Sequence, residues 1–371
     1  MSTISKVSDI ASQTLNTSST ELEKNWQIVQ RFQQRTSKKL WLLSIILLLV
    51  ISSVLLDISI GPGNFSLTTV LQVLLDKAAH GIKLEVIIWD YRMPIAITAV
   101  IVGAMLGAAG ALMQTLLNNP LAEPFTLGVS SAASFGAAVA IVTGAGLMPN
   151  VGSLLVTLNA FIFALATCGL LLILMQMKGM GTQSIILFGI AIFFAFNALL
   201  AMMEYGASET QLQRIVFWML GSLGRASWLQ IAWGAALLVV AIPFCMTRTW
   251  RLTALRLGEE SAMSMGVDVK RLRIEILICI SLLAATAVAF VGTIGFVGLV
   301  GPHIARLLVG EDQRYFIPLS ALLGALMLSV TSIVSKTITP GIIYPIGIIT
   351  ALIGVPVFLA IIIRHSKERG L

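Results

Sequence analysis

Residues 124–177 read PFTLGVSSAASFGAAVAIVTGAGLMPNVGSLLVTLNAFIFALATCGLLLILMQM, 54 positions without one Asp, Glu, Lys or Arg. A helix that crosses a bilayer needs roughly 20 mostly apolar residues, so this run holds two crossings. Other charge-free runs lie on both sides of it: Met93 to Ala122, Gly179 to Met203, Ala226 to Thr247, Ile276 to Ala305 and Thr337 to Ile363. Reading the apolar runs of the whole chain against helix breakers gives ten spans, at 40–57, 93–116, 125–146, 152–176, 183–203, 227–247, 274–292, 295–309, 316–336 and 344–363. The whole chain is 57% hydrophobic and 11% charged, against about 25% charged in soluble domains. That excludes a string of soluble domains. The fold class is all-α, a polytopic membrane protein with about ten transmembrane helices.

Charge placement sets the orientation. With the N-terminus inside, 18 of the 24 Lys and Arg residues fall on the cytoplasmic side, as the positive-inside rule requires. Both termini are therefore cytoplasmic. The net charge of +7 is explained by these loops and does not call for a nucleic-acid partner. Residues 1–39 form a polar cytoplasmic tail, and 40–371 the transmembrane domain. The first span follows that tail with no small-residue cleavage site after it, so it is not a signal peptide. The tail's end, Trp26 to Lys39, alternates apolar and basic residues, as a lipid-surface helix or as a solvated flank of the first span. Cys168, Cys245 and Cys279 lie in separate apolar runs, which excludes a Cys-x-x-Cys site and reads as core packing. His80, His303 and His365 are too scattered to form a metal cluster.

Three loops carry information. On the outer side, Ile58 to Arg92 contains the turn Gly61-Pro62-Gly63, then a short surface helix capped at Ser66. On the inner side, Arg248 to Arg273 has helix formers punctuated by Gly258 and Gly266. It is expected to form two short helices with a turn at Gly266 and a cap at Asp268. Such an ordered loop between spans is expected to dock a partner, against the alternative of an unstructured connector. Between the second and third spans, Asn118-Asn119-Pro120 and Pro124 break the helix. Broken backbone at this depth requires surrounding protein or a water-filled cavity.

Read together, these segments resemble the FecCD-type permeases, the membrane subunits of ATP-driven importers for ferric siderophores, haem and vitamin B12. The resemblance rests on Arg92-Met93-Pro94, Gly110-Ala111-Leu112-Met113-Gln114, Asn119-Pro120-Leu121-Ala122-Glu123-Pro124 and Leu127-Gly128-Val129-Ser130-Ser131. A second block runs from Gly295 to Arg306 and continues from Pro318 to Ala325. The last span adds Pro345-Ile346-Gly347 and Gly354-Val355-Pro356-Val357-Phe358. The similarity covers residues 40 to 364. The family usually has Arg-x-Pro-Arg before the second span; here the fourth position is Ile95.

The resemblance implies a ten-span subunit paired with a second copy or a paralogue around a central pathway. It implies that the inner loop 255–273 couples to an ATP-binding cassette ATPase, through Gly258, Glu259, Ala262, Met265 and Gly266. It places a cytoplasmic gate at Asn119, Pro120, Leu121, Gly181 and Thr182. An extracytoplasmic substrate-binding protein would dock at Arg92, with Arg214 as a second outer cation. Polar or soft groups inside the spans, Met113, Gln114, Ser131, Asn197 and Met202, are the candidates for the translocation path, against a plain packing role. Membrane lipid surrounds the chain, in the cytoplasmic membrane of a bacterium.

No Gly-x-x-x-x-Gly-Lys-Ser/Thr loop occurs, so ATP and Mg²⁺ are expected on the partner subunit. The chain is not itself an enzyme and needs no cofactor or metal of its own. The expected function is translocation of an iron-siderophore complex by alternating access. Haem and vitamin B12 are the alternative cargoes. An ion-coupled secondary transporter competes from another class, but would carry ionisable residues in its spans. An intramembrane protease would need a nucleophile–base pair or metal ligands at that depth, and His303 has no carboxylate in its own span.

Overall fold

The computed structural model describes residues 36–77, 81–144, 153–176, 182–225, 227–339 and 341–368. The chain divides into two compact units, Met1–Ile45 and Ile46–Leu371. The tail through Arg35, with its basic segment from Trp26, lies outside the described residues.

Helix α1 covers Thr36–Ser59, α2 Leu67–Leu75 and α3 Ile82–Glu85. A π-helical turn, Val86–Arg92, joins α3 to α4 (Met93–Leu116). Then come α5 (Val129–Thr143), α6 (Ser153–Gln176), α7 (Thr182–Tyr205), α8 (Glu209–Met219) and α9 (Trp228–Met246). Two short helices follow, α10 (Thr249–Arg256) and α11 (Glu259–Ser264). The chain closes with α12 (Val269–Val291), α13 (Val297–Val309), α14 (Gln313–Thr337) and α15 (Ile346–Glu368). All ten expected spans are present: among the described residues seven helices are long and apolar enough to cross a membrane, and α5, α13 and the apolar part of α15 are shorter.

α4 is the central element, with every residue from Met105 to Leu117 buried. Its glycines explain how backbones come so close. A Cβ on Gly103 would overlap the Gly324 carbonyl, one on Gly107 that of Ser320, and one on Gly110 that of Gly298. Small residues at helix contacts permit this approach, and dispersion between the facing backbones then holds the helices together. α4 thereby packs along α14 and against the start of α13.

α5 and α13, at 15 and 13 residues, rise only about 20 Å each and fall short of a ~30 Å core. Irregular backbone precedes both: a 3-10 turn at Pro124–Leu127, and the segment between α12 and α13. Gly128 and Phe296, at φ +84° and +69°, turn the chain into the two half-length helices. The tolerated setting for such backbone is burial in protein, and Ala122 to Phe125 are buried. On the outer side the segment after α8 is laced to two others. Ser222 N–H donates to Val291 O (2.7 Å), and Gly347 N–H to Leu220 O (3.0 Å).

Two features depart from the sequence reading. Cys245 of α9 and Cys279 of α12, far apart in sequence, bring their sulfurs to 3.5 Å as buried free thiols. The spans also contain a buried charge pair, Lys336 Nζ to Asp57 Oδ1 at 2.8 Å, with Ser332 donating to Oδ2 at 3.0 Å. Such a pair is tolerated because each charge satisfies the other; removing one partner would cost about 3–5 kcal/mol.

Candidate functional site

The inner loop between α9 and α12 is ordered, but its helices differ from those expected. α10 precedes Gly258 and α11 follows it. Asp268 caps the seventh span itself, accepting from Arg271 N–H (3.0 Å). Gly258 and Gly266 have φ +107° and +81° with open space around the Cβ direction, so they serve the backbone. Ala262 is fully buried, and its carbonyl accepts from Val267 N–H (3.0 Å). That corrects its assignment to a partner contact: the small side chain lets α11 fold back on its own loop. The outward surface is larger and more apolar. Leu257 is 68% exposed, Met263 55% and Met265 41%, beside exposed Glu260. Glu259 is ion-paired to Arg273 of α12, which pins α11 to the span.

This loop is wired to the broken segment after α4. Arg256, at the end of α10, donates to Asn118 Oδ1 (2.6 Å) and is ion-paired to Glu311. Glu311 also pairs with Arg306 (3.2 Å), which donates to Gln114 Oε1 (2.9 Å). One line of charge therefore joins α10, the α13–α14 turn and the inner end of α4. Asn118 has φ +47°, the left-handed region that Asn tolerates. Asn119 Oδ1 accepts from Leu121 N–H (3.0 Å), closing an Asx turn around Pro120. Of the other expected gate residues, Thr182 opens α7, and Gly181 lies outside the described residues.

Glu123 sits deeper in the same connection and is buried. Backbone N–H groups of Phe296 and Gly298, at the start of α13, donate to its carboxylate. A carboxylate there meets the positive end of the helix dipole. Burial nevertheless dominates and lifts its pKa to about 7, the N–H bonds acting in the opposite direction.

The path candidates do not converge. Met113 and Gln114 are buried inside the packed core of α4. Ser131 donates to Gly128 O (3.0 Å), at the cap of its own helix, and Asn197 to Phe193 O (2.8 Å) within α7. Met202 is exposed on α7.

On the outer side the two expected docking arginines part company. Arg92 is only 7% exposed. It donates to Ile58 O (2.9 Å), Ser59 O (3.0 Å) and Gly63 O (2.6 Å), and lies over the Phe65 ring at 4.4 Å. Its guanidinium staples its own outer loop, so it is not the exposed cation expected from its position. Arg214 is exposed on α8 and lines a cavity of about 1240 Å³, together with Arg225 and Lys336. Sequence reasoning missed this cavity, because its walls come from α5, α6, α8, α14 and the turn before α15.

The FecCD transport family profile matches residues 45–364. The hemin transport system permease HmuU of Yersinia pestis is 31% identical over 89% of this chain and 97% of its own. The vitamin B12 import system permease BtuC of Salmonella typhi is 32% identical, covering 91% and 98%. A solved ABC transporter assigned to the metal-chelate type, in an inward-facing conformation, superposes with TM-score 0.75 at 28% identity, covering 87% and 99%. The ten-span fold, the ordered inner loop and these similarities agree: the chain belongs to the FecCD transport family and is the multi-pass, non-catalytic permease subunit of an ABC importer of the cytoplasmic membrane.

Proposed function

We propose that this permease carries an iron-siderophore complex by alternating access, driven by ATPase subunits that seat on the α10–α11 loop. ATP and Mg²⁺ are held by those subunits. A second permease copy or paralogue completes the pathway, and an extracytoplasmic binding protein delivers cargo on the side of Arg214. The relative assigned to metal-chelate transport supports this cargo. Haem and vitamin B12, named for the hemin and B12 permeases, are the alternatives.

The single observation that carries the mechanism is Arg256, bonded at once to Asn118 and Glu311. Leu257, Met263 and Met265 present an apolar tip to a partner cleft, while Gly258, Glu259 and Gly266 shape the loop. Movement of that tip passes through Arg256 to Asn118 and so to the gate at Asn119, Pro120, Leu121, Gly181 and Thr182. Glu311 and Arg306 carry the same displacement to α13 and α4. The test is Arg256→Gln in the assembled importer in liposomes. ATPase activity and co-purification should persist, and uptake per ATP should fall by about tenfold, the equivalent of ~1.4 kcal/mol of lost coupling. Unchanged uptake per ATP removes this transmission line.

A further inference from the structure

We propose that the outer cavity bounded by α8 and the turn between α14 and α15 is a binding site for the anionic face of the cargo, so that the chelate accepted is net negative. The inference rests on the importer reading above and adds the charge class of the substrate. At about 1240 Å³ the cavity exceeds the ~300–1,000 Å³ of drug-sized sites, which suits a bulky chelate. Thr210, Gln213, Arg214 and Phe217 line it. Their spacing of i, i+3, i+4 and i+7 puts them on one face of α8, so that whole face borders the cavity.

The charges are one-sided. Lys336 is neutralised by Asp57 at 2.8 Å. Arg214 and Arg225 have no carboxylate partner among the described residues. Arg225 is held in place by a bond to Trp218 O (3.3 Å) and by lying over the Trp218 ring at 5.6 Å. Among the described residues no Asp or Glu lines the cavity, and residues 145–152, 226 and 340, which adjoin its walls in sequence, contain none either. Two uncompensated guanidinium groups in a cleft focus a positive potential. Each presents forked donors that match carboxylate, phosphate or catecholate oxygens. A bare cation is repelled there, and a neutral chelate gains nothing from the field.

The test reads the field directly. Gln213→Cys is introduced into the full chain in nanodiscs, where native Cys168, Cys245 and Cys279 are buried. Its modification by an anionic methanethiosulfonate (ethylsulfonate) is compared, by mass shift of this chain, with that by the cationic trimethylammonium reagent. Relative to a free thiol, the anion-to-cation rate ratio should rise by about tenfold, the low end of what focused fields produce. Adding Arg214→Gln, an exposed position that leaves folding intact, should lower the ratio several-fold, and Arg225→Gln with it should bring the ratio to that of the free thiol. A trianionic ferric tris-catecholate should slow the modification, and a neutral ferric tris-hydroxamate should not. A ratio equal to the free thiol's, or equal protection by the neutral chelate, overturns the proposal. Failure of the importer reading looks different: no chelate would be taken up with ATP, while the thiol ratio would stand.

Discussion

A cation beside an outer turn reads as a docking charge in a sequence, and Arg92 shows why that inference fails at the residue scale. Its guanidinium meets carbonyls of Ile58, Ser59 and Gly63, bonds that run to residues some thirty positions earlier and leave no sequence signature. Arg92→Glu would put a carboxylate among those oxygens and should cost about 3 kcal/mol or more. The expected result is a lowered melting temperature and new proteolysis around Gly61 to Asn64. Normal melting with weakened binding-protein affinity would instead restore a docking role. Glu123 supports a second prediction. Its pKa is raised from 4.5 to about 7, so the folded state holds a proton that the unfolded state releases earlier. Its contribution is therefore fully present below about pH 4.5 and is lost as pH rises through about 7. Glu123→Gln keeps a neutral side chain at every pH, and the fall in melting temperature between pH 4.5 and 7 should flatten. A parent and variant with the same pH slope would show that Glu123 stays ionised throughout.

At the scale of elements, the α10–α11 loop separates what holds a fold from what meets a partner. Ala262 is buried and Met263, its neighbour, is 55% exposed, so the two positions should fail differently. Ala262→Trp overpacks the loop and should destabilise it by about 1–3 kcal/mol, seen as local proteolysis of the permease alone. Met263→Glu leaves the loop intact and puts a charge on the tip. Loss of a buried contact worth about 2 kcal/mol at an interface corresponds to roughly thirtyfold weaker ATPase binding, measured by co-purification. If Met263→Glu assembles normally while Ala262→Trp releases a stable ATPase-free permease, the two faces have been assigned the wrong way round. The contrast also marks what was legible. Apolar runs located all ten spans, and Ser66 and Asp268 announced their caps, because length, hydropathy and capping are local properties. The facing of a six-residue helix is not local: Gly258, Ala262 and Gly266 at intervals of four read equally as a contact stripe or as a fold-back. The grouping of the cavity cations was illegible for the same reason, since Arg214, Arg225 and Lys336 come to one cavity only through tertiary packing.

At the scale of the whole molecule, the question is what a pathway of this composition can carry. A desolvated Fe³⁺ would need hard oxygen ligands along its route. The two buried carboxylates among the described residues are already engaged, Asp57 with Lys336 and Glu123 with the N–H groups at the start of α13. Freeing Asp57 would leave the Lys336 charge buried and uncompensated, at several kcal/mol, and freeing Glu123 would break the N–H bonds that hold it. A chelate avoids that difficulty because it brings the metal's ligands with it and shows the protein only its outer oxygens and carbon frame. Its size then calls for a wide route with weak contacts, as between two permease copies, not for a tight cage within one. The prediction is that ATP-driven uptake of labelled iron by the reconstituted importer requires the chelator. Iron supplied without siderophore should enter at least about tenfold more slowly, a difference of ~1.4 kcal/mol or more. Removing the binding protein should abolish the faster rate and leave the slower one unchanged, since only the chelate is handed over. Equal uptake of complexed and uncomplexed iron would mean that the metal sheds its ligands before entry, and the route would then have to supply carboxylates that these spans hold in other bonds.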